Sequence, residues 1–367
     1  MAKSAAKRAA VIQGTSMPMS CVQGGSSTEI VQLRIRCTSF IGASIVWIVL
    51  PVAASAASFD CSQAKTAMEE VVCSEPSLSK ADGDLATAYE ILLDKLSPEG
   101  RRAMTESQRR WLHQVRSICQ APEITVGACL GDYVERLAEL RQSVASPPSY
   151  VWTRLFSYKK AMAPDESDDN KPRLTETEVD YPQIDHPLDG NARRINSMIA
   201  SKAGEPECGA PKKDSGKGDG NGEIVGVLHL QTERLISVSG YTSYYCFGMA
   251  HPQTYQWYVS LALQPKLHPV QANDIFINGS KWKSLLQQLA DKNNKASDFS
   301  EYGDRANSMR DEFHAEVVDP QNWILTPEGI AFSFGPYAFG GGYPEHADFS
   351  ISWHEFKSVL ISNFTAK

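Results

Sequence analysis

The sequence predicts an α+β protein in two parts: an N-terminal disulfide-stapled helical bundle, then an α+β domain with an antiparallel sheet. Three observations point there. Apolar residues recur at helical spacing between Cys61 and Val144. After a Pro- and Ser-rich break, the pattern turns to strand-like alternation rich in Tyr, Phe, Val and Gly. The cysteines that follow residue 56 are six, an even number that fits disulfides in an oxidising compartment.

The chain has 367 residues and is 42% hydrophobic, enough to bury a core in each of two domains. Its net charge of −7 and the lack of a basic stripe argue against nucleic acid as a partner. Residues 1–56 read as a secretory signal peptide. Arg34 and Arg36 precede the uncharged run Phe40 to Ala54, and Ala54-Ser55-Ala56 supplies small residues for cleavage after Ala56. That run is short for a membrane span and contains Pro51, so no stable membrane anchor is expected after cleavage. Removal takes away five basic residues (Lys3, Lys7, Arg8, Arg34, Arg36) and one acidic residue (Glu29), shifting the net charge from −7 to −11.

In the first part, residues 59–144, a short helix is expected between Cys61 and Cys73. A second enters through Pro76-Ser77 and carries Leu78, Ala81, Leu85, Tyr89, Leu92 and Leu96 on one face. Ser97-Pro98 provides an N-cap and a first-turn proline for a third, with Met104, Trp111, Leu112, Val115 and Ile118. The last carries Tyr133, Leu137, Leu140 and Val144. Spacing allows three pairings of the four cysteines here; we expect the two local ones, Cys61 with Cys73 and Cys119 with Cys129. The gaps are too wide for a zinc site of Cys-x-x-Cys pairs. Trp111, Tyr89 and Arg116 read as scaffold, with Arg116 capping a helix or pairing inside the bundle.

Residues 145–150 form a linker, and 151–363 the second domain. Strands are expected at Ile224 to Leu230, Leu235 to Ser239, Tyr255 to Leu263, Ile330 to Phe334 and Asp348 to Trp353. Two helices intervene, Asn191 to Ala200 and Lys281 to Ala290, and the Gly- and Lys-rich tract from Gly204 to Gly222 reads as a loop. Cys208 and Cys246 are expected to pair across it.

The residues of each part resemble a known family. Cys61, Ala64, Thr66, Glu69 and Cys73, then Pro76, Leu78, Asp82, Leu85 and Tyr89, resemble in order and spacing the LprI-like lysozyme-inhibitor N-terminal domain. Gln108, Trp111, Arg116, Cys119, Cys129, Leu130, Tyr133, Arg136 and Leu140 continue that resemblance. The second domain, over roughly 150–361, is similar to the extracellular domain of RsiV-like anti-sigma factors. Tyr181-Pro182-Gln183, Ala250-His251-Pro252, Asp274-Ile275-Phe276 and the stretch Trp323 to Tyr337 carry it, with Met249 departing from the family's usual glycine. Both resemblances imply lysozyme binding, one as inhibitor and one as receptor.

No Gly-x-Ser-x-Gly elbow, His-Glu-x-x-His helix or P-loop is present, so we expect a non-enzymatic protein without a catalytic residue, cofactor or metal. His346, Asp348 and His354 are the nearest approach to a metal set, and a surface role is the simpler reading. The expectation is an exported lysozyme inhibitor, periplasmic or secreted, that binds a lysozyme or related muramidase through surface complementarity. An acidic partner would be steered onto a basic lysozyme. Glu69, Glu70, Glu75, Asp82 and Asp84 cluster near the first disulfide and are the expected docking carboxylates. Tyr337 and Phe339 are the expected aromatic anchors in the second domain. The alternative is a cell-envelope module that recognises peptidoglycan fragments.

Overall fold

The computed structural model describes residues 57–119, 125–144, 150–163, 173–205, 220–247, 249–294, 299–336, 338–340, 347–362 and 364. The expected signal peptide, Cys208 and most of the Gly204 to Gly222 loop lie outside the described residues.

Four helices build the first part: α1 (Ala67–Ser74), α2 (Pro76–Lys95), α3 (Pro98–Cys119) and α4 (Val126–Gln142). They share a core of Met68, Val72, Leu78, Leu85, Leu92, Met104, Val115, Tyr133 and Leu140, the residues whose three-and-four spacing predicts amphipathic helices. The α3 start is capped as its sequence implies, with Gly100 N–H donating to Ser97 Oγ at 3.0 Å. Cys61–Cys73 and Cys119–Cys129 are both bonded. Trp111 meets Tyr133 edge-on at 5.2 Å.

The second part is a six-stranded sheet, β1 (Trp152–Ala163), β2 (Arg173–Ile184), β3 (Gly220–Gln231), β4 (Leu235–Cys246), β5 (Gln253–Ala262) and β6 (His268–Pro269), in that spatial order. Its strands are antiparallel except β2 and β3, which run parallel over Thr177–Asp180 and Gly222–Val225. Helix α5 (Gly190–Ala203) lies between them as the crossover a parallel pair requires. Its Ile195 and Ile199 bury against one sheet face with Ile224, Val238, Trp257 and Val259. Trp257 lies so close over Gly226 and Gly240 that a Cβ at Gly240 would come within 2.4 Å of its ring, so both positions demand glycine.

On the other face sits a three-stranded sheet, β7 (Ile324–Leu325), β8 (Gly329–Phe334) and β9 (Ala347–Ser352), with α6 (Trp282–Asn293) and α7 (Ala306–Val318). Ser237 and Ser260 stitch the two sheets: Leu325 N–H donates to Ser237 Oγ at 2.9 Å, and Ser260 Oγ donates to the Trp323 carbonyl at 2.7 Å. Sequence alternation marks β3, β4, β5, β8 and β9. It misses β1, β2 and α7, and it places only the core of each strand.

The two parts are not independent beads. Helix α3 lies along the β1–β2 hairpin, and the contact is made of buried charge. Arg154 Nε donates to Asp180 Oδ1 at 2.5 Å, its Nη1 to Glu139, and its Nη2 to the carbonyls of Asp180 (2.8 Å) and Gly226 (2.9 Å). Glu139 also accepts from Arg136 Nη1 at 2.7 Å, and Arg136 Nε donates to Gln108 at 2.9 Å. Arg110 and Gln114 from α3 hold Glu178 at 2.9 and 3.0 Å, and Ser107 donates to Asp180 at 3.0 Å. Beyond them, Asp185 accepts from both the amide (2.6 Å) and hydroxyl (2.7 Å) of Ser97, so a carboxylate of the sheet sits at the positive end of α3. Burial opposes the charge on Arg154, and the Asp180 and Glu139 carboxylates outweigh it, raising its pKa above the ordinary arginine value.

Removing one member of such a set strands the others in a dry interface. Arg154→Ala should cost about 3–5 kcal/mol, read as a fall in the urea midpoint of the whole chain; a change near zero would mean that water already reaches Glu139 and Asp180. His229 titrates beside this cluster. It shares a 2.8 Å hydrogen bond with Ser239 Oγ, and burial pushes its imidazole down from 6.5 to about 4, with Glu139 opposing. Below pH 6.5 the unfolded chain takes this proton first, so its contribution is intact above 6.5 and drains as pH falls toward 4. A His229→Gln chain should therefore lose less stability than wild type over that window in denaturation at stepped pH, and parallel pH slopes would clear His229 as the source.

Candidate functional site

The acidic segment predicted to dock a partner folds around a small cleft of about 160 Å³ between α1, α2, α3 and α4. Thr66 starts α1 with a capping box: Glu69 N–H donates to Thr66 Oγ1 at 3.2 Å, and the Glu69 carboxylate accepts the amides of Lys65 (2.8 Å) and Thr66 (2.9 Å). Those amides hold Glu69 below the usual carboxylate range, and the charge of Arg116 adds to the effect. Asp82, 7% exposed, lines the cleft and accepts the Ser58 amide at 2.7 Å, tying the entering chain to α2. The Tyr133 hydroxyl lies against it; burial and that carboxylate push the phenol far above its ordinary range. Arg116 lines the same cleft from an exposed position, which corrects the expectation that it pairs inside the bundle. The inward arginine is Arg136 on α4, 5% exposed.

The five expected docking carboxylates therefore divide. Asp82 is a buried support for Ser58, and Glu69 is committed to the capping box. Asp84 is paired with Lys80 at 2.6 Å and approached by Arg141 at 3.8 Å. Glu70 is exposed and Glu75 half-buried, and neither joins an ion pair among the described residues. The Thr66–Glu69 capping box and the Lys80–Asp84 pair are local and legible in sequence, whereas the Ser58 partner of Asp82 lies 24 residues away and only the fold brings it near.

In the second part, Phe339, expected as an aromatic anchor, is partly buried and packs against the core. Its ring packs edge-on against Phe334 at 4.9 Å and Phe313 at 5.2 Å, with a backbone φ of 51° that turns it inward. Tyr337 and His346 lie outside the described residues. Cys246 is in a disulfide. Among the described residues no group of three His, Cys, Asp or Glu is placed to hold a metal, and no helix is long and apolar enough to cross a membrane. Between β4 and β5, Tyr244 stacks on the exposed Tyr255 with ring centroids 6.1 Å apart.

Asp82→Ala leaves the Ser58 amide without its acceptor and should destabilise the chain by about 1–3 kcal/mol, with faster hydrogen exchange at Ser58. Unchanged exchange there would show that Asp82 does not hold the entering strand.

Comparison with known proteins gives two kinds of likeness. No curated protein matches the chain. Among solved structures, a DUF3298-family protein from Pseudomonas aeruginosa aligns with a TM-score of 0.36 at 14% identity, over 60% of this chain and 98% of its own. A DUF3298-family member from Bacteroides fragilis aligns with a TM-score of 0.35 at 14% identity, over 57% of this chain and 95% of its own. Residues 61–141, from the first bridging cysteine to the end of α4, match the model of the family described as lysozyme inhibitor LprI.

Proposed function

We propose that the chain is an exported, non-enzymatic lysozyme inhibitor that docks through surface complementarity. The observation that carries this is the match of residues 61–141 to the lysozyme-inhibitor family. Two disulfides in the helical part, one beside α1 and one joining α3 to α4, fit an oxidising compartment outside the cytoplasm. The chain's negative charge suits a basic lysozyme, and long-range attraction would raise the rate of encounter more than the lifetime of the complex. Of the acidic cluster, Glu70 and Glu75 are the carboxylates left over for a partner, because the fold uses the other three. Inhibition follows if the bound surface covers the paired carboxylates of a muramidase cleft. The RsiV-like reading of residues 150–361 adds a second surface of the same specificity to this proposal.

The test titrates the whole secreted chain against a basic C-type lysozyme at low and at moderate salt, following both binding and turnover of a cell-wall substrate. Binding that weakens with salt and slows turnover is expected. Glu70→Lys with Glu75→Lys should lower the association rate on the order of tenfold and leave the urea midpoint in place. A chain that ignores lysozyme at low salt but sediments with peptidoglycan would replace this reading with the glycan-recognition one.

A further inference from the structure

Another cavity, larger than the helical cleft, is lined by two cationic side chains. It is a groove of about 390 Å³ between α5 and the outer edge of β5. Arg194, Ser197, Met198, Ser201 and Lys202 line it from α5, at the three-and-four spacing that sets residues on one ridge of a helix. Tyr258 to Leu261 line it from β5, Pro269 from β6, and Pro320 and Gln321 from the segment before β7. Val259 and Leu261 point to the α5 core, while Ser260 reaches the opposite face to Trp323. The floor of the groove is therefore the strand edge itself.

Within the groove that edge is partly paired, at Ser260 by Val270 and at Leu261 by β6, and from Gln253 to Tyr258 it is not. Strand β5 has ten residues, and β6 pairs only with Leu261 and Ala262. The Val270 amide donates to the Ser260 carbonyl at 2.9 Å, which fixes the outward set: by alternation, Tyr258, Gln256 and Thr254 turn their amides and carbonyls the same way. No strand among the described residues pairs with them, although Gly335 of the loop after β8 lies beside Gln256 and the Thr254 carbonyl. Exposed edges of this length are normally blocked by a charge, a proline or a bulge on the strand; from Gln253 to Tyr258 the sequence is Gln-Thr-Tyr-Gln-Trp-Tyr, with none of the first two. The charge sits on the wall instead. Arg194 and Lys202 are both exposed and join no ion pair among the described residues, in a chain whose net charge is −7.

We propose that this groove binds an extended acidic segment of a partner protein, which pairs with β5 as an added strand while its carboxylates meet Arg194 and Lys202. A helix against an open strand edge is the geometry by which peptides extend a sheet. The two cations are eight residues apart on α5, about 12 Å along a helix axis. An extended strand covers that distance in about four residues, and residues four apart share a face. The preferred ligand thus carries acidic side chains at positions i and i+4. The groove lies on the sheet domain and its chemistry is opposite to that expected of a lysozyme contact, so this proposal stands apart from the inhibitor reading.

The probe is a labelled ten-residue peptide of Thr and Val with two Glu four residues apart, titrated into the whole chain by fluorescence anisotropy. Saturable binding that weakens with salt is expected, with loss of roughly tenfold or more in the Arg194→Ala/Lys202→Ala chain. That variant changes two exposed side chains, and its inhibition of lysozyme should match wild type. Methylating alternate peptide amides reads the strand pairing: methyls on the paired edge should abolish binding, and methyls on the far edge should not. Equal binding of a peptide with Lys in place of Glu, indifference to the position of the methyls, or no binding at low salt would each overturn the proposal. A chain that dimerises through this edge and excludes the peptide would assign the groove to a second copy and overturn it too.

Discussion

The structure depends on one guanidinium. Arg154 enters from the first strand of the sheet, is 4% exposed, and spends its donors on Glu139 of the helical part, on Asp180 of the neighbouring strand and on two backbone carbonyls. Around it the buried set holds three cations, Arg110, Arg136 and Arg154, and three anions, Glu139, Glu178 and Asp180. Equal numbers matter. Taking each ion out of water costs several kcal/mol, and only mutual attraction plus complete hydrogen bonding offsets that. The set is close to complete because each part supplies what the other lacks: Glu139, Arg136 and Arg110 come from the helices, while Arg154, Asp180 and Glu178 come from the hairpin.

This changes what the two parts can do alone. Cutting the chain after α4 would leave Glu139 and Arg136 facing water on one fragment and Arg154 with two carboxylates on the other. It would also expose Thr153, whose hydroxyl donates to the Gly100 carbonyl at 2.7 Å, and Trp152, whose amide donates to the Ser143 carbonyl at 3.1 Å. The match to the inhibitor family ends at residue 141, yet the structural unit does not. Binding assigned to the helical part is therefore measured on a surface whose orientation the sheet fixes.

How much of this the sequence discloses follows from which faces are solvated. The helices of the first part are legible because each has one dry stripe and one wet one, and Leu78 to Leu96 or Tyr133 to Leu140 display it plainly. Strands β3 to β5, β8 and β9 are legible for the same reason. Strands β1 and β2 are not, because the face that alternation would label solvent-exposed, with Arg154, Glu178 and Asp180, is the one covered by α3. Polar residues there look like surface. In the candidate site, the capping role of Glu69 is written in the Thr66-x-x-Glu69 spacing, while that of Asp82 emerges only once Ser58 is placed beside it. Phe339 shows the converse, an aromatic in a Gly-rich stretch that local sequence marks as loop and tertiary packing draws into the Phe313–Phe334 cluster.

A hydrophobic interface between the bundle and the sheet would be as stable as this ionic one, or more so, since apolar replacement of buried ion sets is often neutral or favourable. What the ions add is position. An apolar α3 could slide or turn on the hairpin with little penalty, whereas a shift by one residue would carry Arg110 away from Glu178 and Ser107 away from Asp180 at once. Asp185 at the start of the helix and Glu178 further along fix both ends of the register.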